Sequence, residues 1–193
     1  MYKIGVIAIQ GDVSEHIEAM RRTLGDKGTV VEVRKAGVIP ECDGLVIPGG
    51  ESTTISRQLE KGGMIKEVED FASCGKPILA TCAGLVLVSS AIEGNSMVKP
   101  LRIMDTIVDR NAFGSQKDSF EADLAVAGFE KPYRAVFIRA PVISDVGNGV
   151  QVLAKVEDKI VAARQGNVLC LAFHPELTED RRFHQMFLSE LEA

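Results

Sequence analysis

Ile78-Leu79-Ala80-Thr81-Cys82-Ala83-Gly84-Leu85 decides how this chain of 193 residues is read. Residues 77–80 form a short apolar run of the kind a buried strand makes, and an apolar helix over 83–91 follows without a spacer. A strand passing directly into a helix, with a cysteine at the junction and small residues after it, is the pattern of a nucleophile elbow. Such a turn lifts one side chain above the carboxyl edge of a sheet, and Ala83 and Gly84 let the backbone close tightly beside it. The positive end of the helix favours thiolate over thiol, and the free N–H of Ala83 points where an oxyanion would form. A lone cysteine in an apolar run is otherwise an inert core residue. The junction makes Cys82 a candidate nucleophile.

Ahead of the elbow, strands and helices alternate. Residues 3–9 read as a buried strand. Asp12 can cap a helix running to about Leu24, with Ile17, Met20 and Leu24 at helical spacing. Residues 29–33 and 44–47 are strands, Pro48-Gly49-Gly50 breaks the second of these, and helices are expected over 53–58 and 64–72. After the elbow the pattern changes to six strand-like runs, over 106–110, 120–126, 135–139, 150–156, 160–164 and 168–173. Turn signals such as Gly147-Asn148-Gly149 and Gln165-Gly166-Asn167 separate them. A helix over 179–191 closes the chain with Phe183, Phe187 and Leu191 on one face. Alternation followed by strand pairs predicts a mixed sheet with a parallel core and helices on both sides. With no repeat, low-complexity tract or linker, residues 1–193 read as one domain.

Composition narrows the partners. Apolar residues at 46% and charged residues at 25% are the balance of a globular chain. A net charge of −5 without a basic block argues against nucleic acid and anionic membrane. No apolar run approaches the ~20 residues of a membrane span, and the apolar start is too short for a signal region. Four unevenly spaced cysteines (Cys42, Cys74, Cys82, Cys170) include no CxxC pair, and three histidines (His16, His174, His184) form no metal-ligand spacing. Free thiols without an export signal point to the reducing cytoplasm.

A base for Cys82 is offered by Phe173-His174-Pro175-Glu176, which follows the run 168–173 and so also lies at a strand end. Pro175 pushes His174 into an extended conformation. Residues two apart in an extended chain face one side, so Glu176 can lie beside the His174 ring. A carboxylate on one ring nitrogen sets the tautomer while the other nitrogen serves the thiol. His16 lies among charged residues and His184 beside Arg181 and Arg182, so both are expected on the surface. Cys170 shares a strand face with His174, but four residues of strand separate them by ~13 Å. Cys42 and Cys74 read as structural. Leu45-Val46-Ile47-Pro48-Gly49-Gly50-Glu51-Ser52-Thr53 adds a glycine pair at a third strand end, able to present bare backbone N–H groups to an anion. No Gly-Lys-Ser/Thr follows it and no GxGxxG is present, which excludes a Walker loop and a dinucleotide fingerprint.

Taken in order, these segments resemble the triad-type glutamine amidotransferases, and within them the glutaminase subunits of pyridoxal 5′-phosphate synthase. Gly5-Val6-Ile7-Ala8-Ile9-Gln10-Gly11-Asp12-Val13-Ser14-Glu15-His16 resembles the N-terminal signature of that family. Pro48-Gly49-Gly50-Glu51-Ser52-Thr53, Thr81-Cys82-Ala83-Gly84-Leu85 and His174-Pro175-Glu176 match it too, and the likeness spans the whole chain. Val86 and Val88 stand where longer aliphatic residues are expected, which touches packing and not chemistry.

The resemblance implies a three-layer, flavodoxin-like mixed sheet with a parallel core, of the class I glutamine amidotransferase kind. It implies Cys82 as nucleophile, His174 as base and acid, Glu176 as its orienting carboxylate, and the Gly50 and Ala83 N–H groups as oxyanion hole. Gly50, Glu51 and Ser52 would contact glutamine, joined by Arg110 of Asp109-Arg110-Asn111 and by Ile138 and Arg139 of Phe137-Ile138-Arg139. If Arg139 is buried it needs a partner. No cofactor or metal is required. The implied partners are L-glutamine and a barrel-shaped synthase subunit, assembled as a dodecamer of heterodimers. Competing readings are the glutaminase of another synthase, such as that of histidine or aminobenzoate biosynthesis, a stand-alone cysteine hydrolase or peptidase, and a non-enzymatic descendant. Gln10-Gly11-Asp12 argues against the first, and intact Cys82, His174 and Glu176 against the last. A panel of peptides and amides separates the second.

Overall fold

The computed structural model describes residues 1–94, 97–113 and 119–192. β1 (Tyr2–Ile7), α1 (Val13–Leu24), β2 (Gly28–Val33), β3 (Gly44–Ile47), α2 (Ser52–Lys61), α3 (Ile65–Ser73), β4 (Ile78–Thr81) and α4 (Ala83–Val88) make up the first half. The second half holds β5 (Ser89–Ile92), β6 (Met104–Asp109), β7 (Ser119–Leu124), β8 (Tyr133–Ile138), β9 (Val142–Val146), β10 (Gln151–Val156), β11 (Lys159–Gln165), β12 (Val168–Leu171) and α5 (Arg182–Ser189). Among the described residues, the main sheet runs β2-β1-β3-β4-β12-β11-β9-β6-β5, with β10 on β11, and β7 pairs with β8 apart from it. The strands β2, β1, β3, β4 and β12 are mutually parallel, and antiparallel pairing begins where β11 meets β12. The expected mixed α/β sheet with a parallel core is borne out.

Period-two alternation decides which side each residue serves. Leu45, Ile47, Ile78 and Ala80 pack with Ile55, Leu59, Val68 and Phe71 of α2 and α3, together with Leu85 and Leu87 of α4. Val46, Leu79, Leu169 and Leu171 face the other way, onto Ile17, Met20 and Leu24 of α1 and Phe183 and Phe187 of α5. Both faces of the parallel strands are covered, which explains why they read as unbroken apolar runs. On the α1 side the rings of Tyr133, Phe137, Phe173 and Phe183 meet edge-on or tilted at centroid distances of 4.7–5.8 Å.

Beyond shifts of a few residues at element ends, three differences from the expected elements stand out. The elbow helix stops at Val88, because residues 89–92 leave it to pair with β6 as β5. β9, which the sequence pattern did not reveal, follows Pro141 directly and does not alternate, with Val142 and Ile143 both buried and Ser144 and Asp145 both exposed. The last helix begins at Arg182, since Thr178 and Asp180 are held by the Tyr133 hydroxyl at 3.0 and 3.3 Å.

Gly84 sits against the end of β3. A Cβ at this position would fall 2.1 Å from the Ile47 carbonyl oxygen, which is backbone and cannot yield. Gly84→Ala is therefore expected to lower stability by at least about 3 kcal/mol, the upper range for overpacked cores. Urea unfolding followed by circular dichroism measures this, and a midpoint equal to the parent's would show that α4 can shift away from β3.

Candidate active site

Because β1, β3, β4 and β12 are parallel, their carboxyl ends deliver Gln10-Gly11-Asp12, Pro48-Gly49-Gly50, Cys82 and His174 to one edge of the sheet. Ligands of open α/β sheets bind along this edge. Cys82 adopts φ 48° and ψ −103°, outside the regions ordinary for a residue with a Cβ, at a cost of ~1–3 kcal/mol. Its N–H donates to the Leu171 carbonyl at 2.8 Å, which pins the strained turn to β12. The thiol lies 3.9 Å from the Ile138 carbonyl oxygen. The dipole behind it comes from a six-residue helix, shorter than the sequence suggested.

His174 is held by its own backbone, whose N–H donates to the Val136 carbonyl at 2.9 Å, and by Phe173 in the aromatic cluster. Pro175–Leu177 then form a 3₁₀ turn rather than an extended segment. This turn brings Glu176 Oε1 to 2.7 Å from His174 Nδ1, a charge-assisted hydrogen bond inside the core. The expected pairing is present, made by a tighter turn. A second carboxylate, Asp12 Oδ2, lies 3.3 Å from the same nitrogen. Asp12 was expected to cap α1, but it makes no side-chain capping bond and faces His174 instead. Burial disfavours the charged His174 ring, yet hydrogen bonding with Asp12, Cys82 and Glu176 outweighs it and pushes the pKa up to about 12. His174 Nε2 has no aligned hydrogen-bond partner among the described residues. Asp12, His174 and Glu176 also offer ligand atoms within 4.8 Å of one another, the one such group among the described residues that could meet a cation. The 2.7 Å contact at Nδ1 is that of an N–H donating to a carboxylate.

Two histidines expected on the surface are buried. His16 is 0% exposed, with Nε2 2.9 Å from Thr81 Oγ1 and 3.2 Å from Glu176 Oε2. His184 is 1% exposed, its ring 6.5 Å from that of His16. Neighbouring charges misled the sequence reading, because those side chains point to solvent while the histidines lie on the inward faces of α1 and α5. Cys42 and Cys170 are buried in the core, and burial pushes both thiols up and away from reactivity. Cys74 ends α3 in solvent.

The glycine pair divides its work. A Cβ on Gly49 would fall 2.7 Å from His174 Cε1, 2.8 Å from Asp12 Oδ2 and 3.4 Å from the Cys82 Cβ, so bare backbone is required there. Gly50 has φ +145° and is exposed, and a Cβ on it would meet Gln10 Oε1 at 2.6 Å. Gln10 Oε1 also accepts the Glu51 N–H at 2.7 Å, a tether the sequence reading used only as a signature residue. The Glu51 carboxylate caps α2 through Thr53 N, Thr54 N and the Thr54 hydroxyl. Thr54 first, with these backbone donors, holds the carboxyl near a pKa of about 2. Ser52 is buried at the start of α2. Arg110 comes within 3.8 Å of Glu51 Oε1. Ile138 is 38% exposed and offers its carbonyl to the thiol. Arg139 turns through φ 42° into solvent, so the argument from a buried charge does not apply to it.

A cysteine on a strained elbow, a carboxylate-paired histidine and a glycine pair at the carboxyl edge of a mixed sheet define the class I glutamine amidotransferase type. The chain belongs to the SNO glutamine amidotransferase family, whose profile matches residues 6–193. It is 59% identical over 188 residues to the pyridoxal 5′-phosphate synthase subunit PdxT of Methanothrix thermoacetophila, an alignment covering 97% of this chain and 99% of that one. The PdxT of Halorubrum lacusprofundi is 52% identical over 193 residues, covering 98% of each chain. A crystal structure of a glutamine amidotransferase superposes with a TM-score of 0.91 at 42% identity, over 98% of this chain and 99% of that one. The structure of PurLQS from Thermotoga maritima shares the fold, with a TM-score of 0.69 at 17% identity over 99% of this chain and all of that one.

The buried histidines set an acid limit. Burial, with His16 and Arg181 adding to it, lowers the His184 pKa to about 3. The unfolded chain binds this proton below pH ~6.5, so the stability from keeping the ring neutral is full above that pH and is lost as pH falls toward 3. His184→Leu should therefore lose on the order of 2 kcal/mol less than the parent between pH 7 and pH 5. Urea unfolding at both pH values tests this; equal losses would place the acid sensitivity elsewhere.

Proposed function

We propose that the chain hydrolyses L-glutamine to L-glutamate and ammonia and delivers the ammonia to a pyridoxal 5′-phosphate synthase subunit, as one glutamine amidotransferase domain over residues 1–193. The observation that carries this reading is the His174–Glu176 pair at 2.7 Å, set beside Cys82 on its strained elbow. Membership of the family and 52–59% identity to proteins named PdxT support the synthase branch. The Cys82 thiolate attacks the amide carbon of glutamine, and N–H groups of Gly50 and Ala83 receive the oxyanion. His174 protonates the departing ammonia, then takes a proton from water as it hydrolyses the thioester. Glu176 stabilises the imidazolium through both steps. General acid–base transfer contributes ~10²–10⁴-fold and each oxyanion donor ~3 kcal/mol. Ser52 offers backbone to the substrate beside Ile138, Glu51 comes into contact with it once its N–H is released from Gln10, and Arg110 and Arg139 offer charge to its α-carboxylate. The partner is a barrel-shaped subunit, with twelve heterodimers in the assembly.

Cys82→Ala is expected to abolish glutamate release, whereas Cys42→Ala, Cys74→Ala and Cys170→Ala stay within a few-fold of the parent. Iodoacetamide should label Cys82 fastest in the partner-bound enzyme. Loss of activity through labelling at another cysteine overturns the nucleophile assignment.

Docking to the synthase is expected to switch hydrolysis on. The thiol is directed to the Ile138 carbonyl, His174 Nε2 is unpaired among the described residues, and Gln10 tethers the peptide beside Gly50. A peptide reorientation at Gly49-Gly50 is inexpensive because glycine accepts either sign of φ, and one misplaced oxyanion donor slows chemistry ~10²–10³-fold. Glutamate release with and without the synthase subunit measures the switch; full activity in isolation removes the coupling and leaves the triad standing.

A further inference from the structure

His16 occupies a place where the fold would accept an apolar residue. Together with Met20 and Leu24 it forms an i, i+4, i+8 stripe on the buried face of α1. A polar ring in such a stripe loses hydration and needs compensating contacts. Its neighbours come from three other parts of the chain and from the start of its own helix. They are Thr81 at the end of β4, Glu176 in the 3₁₀ turn, His184 in α5, and the carboxylates of Asp12 and Glu15 near its own helix start. Burial first, against the pull of Glu176, holds the ring toward its neutral form.

The Glu176 side chain is 0% exposed, and its two oxygens have different partners. Oε1 takes the His174 proton at 2.7 Å. Oε2 has His16 Nε2 at 3.2 Å and no aligned hydrogen-bond partner among the described residues. The Nε2 edge is aligned on Thr81 Oγ1 at 2.9 Å, and Oε2 lies beside it as an ion-pair contact, so a proton on Nε2 is the arrangement that turns a positive edge toward the carboxylate. Thr81 is the residue immediately before Cys82. One buried imidazole therefore ties the strand that presents the nucleophile to the carboxylate that orients its base.

We propose that His16 is a positioning residue of the glutaminase, its Nε2 edge, anchored on Thr81, holding the Glu176 carboxylate by close electrostatic contact at Oε2 so that Oε1 stays aligned on His174. This inference rests on the Cys82–His174–Glu176 reading above. Its effect belongs to the chemical step, because the fully buried His16 ring is out of reach of a bound substrate.

The test uses the full chain in complex with its synthase subunit, with glutamate release measured over a range of glutamine concentrations. His16→Leu should lower kcat by ~10–100-fold, the usual effect of removing a partner that orients a functional histidine or carboxylate, with KM within about twofold of the parent value. His16→Gln, whose amide can reach the Nε2 position, should restore most of kcat, and His16→Asn, whose amide is too short, should not. In a Glu176→Gln background His16→Leu should cost less than about twofold more, because its target is already altered. If His16→Leu does not fold, the Gln-against-Asn comparison decides. Parent-like kcat in folded His16→Leu, equal kcat in the Gln and Asn variants, or an undiminished loss in the Glu176→Gln background each overturns the proposal. Where Glu176→Gln alone is impaired and the His16 variants are not, only this inference falls. Where Glu176→Gln works at the parent rate, the triad reading falls and takes it along.

Discussion

Leu45, Ile78 and Val168 stand in register across β3, β4 and β12, as do Ile47, Ala80 and Cys170 two residues on. This alignment brings three strands to the same level, so that the glycine pair, the cysteine and the histidine emerge side by side from distant parts of the chain. A slip of one residue in any of these pairings would turn that strand's apolar residues to the wrong face. Because α1 and α5 cover one face and α2 to α4 the other, neither face tolerates the exchange. The hydrophobic layers thus hold the register, and the register holds the site.

On that platform the close approaches are made by backbone. Gly84 against Ile47, Gly11 against the Gly49 carbonyl and Gly49 against His174 leave no room for a Cβ. Their absence of side chain lets the strain at Cys82 be borne by surrounding structure, with Leu171 receiving its N–H. His174 is fixed from behind by the aromatic cluster, where Phe173 packs against Phe137 and Phe183 one residue before it. Rigid surroundings of this kind hold Cys82 and His174 in fixed relation, the preorganisation that the proposed hydrolysis calls for.

Beneath the reacting groups lies a polar layer. Glu176, His16, Thr81 and His184 are all buried, in a region where α1 and α5 otherwise present Ile, Met, Leu and Phe. Such groups weaken a fold unless each finds partners. Their retention in the core is understandable where a carboxylate must keep its charge and direction away from water.

Much of this was legible in the residues themselves. The run 78–85 determined the elbow, because a strand and a helix with no spacer between them leave Cys82 one conformation and its successors only small side chains. His174-Pro175-Glu176 announced the paired histidine and carboxylate, although a 3₁₀ turn and not the expected extended segment brings them together. Tertiary structure alone decided the rest. Asp12 had a capping pattern, and the approach of β12 turned it toward His174 instead. His16 and His184 have charged neighbours in sequence, and only the rotation of α1 and α5 against the sheet places them inside. Residues 89–91 were expected to continue the elbow helix, and only pairing with β6 makes them part of a strand. Local pattern reports the conformations a segment can adopt, whereas burial and hydrogen-bond partners depend on segments remote in sequence, which the fold alone brings together.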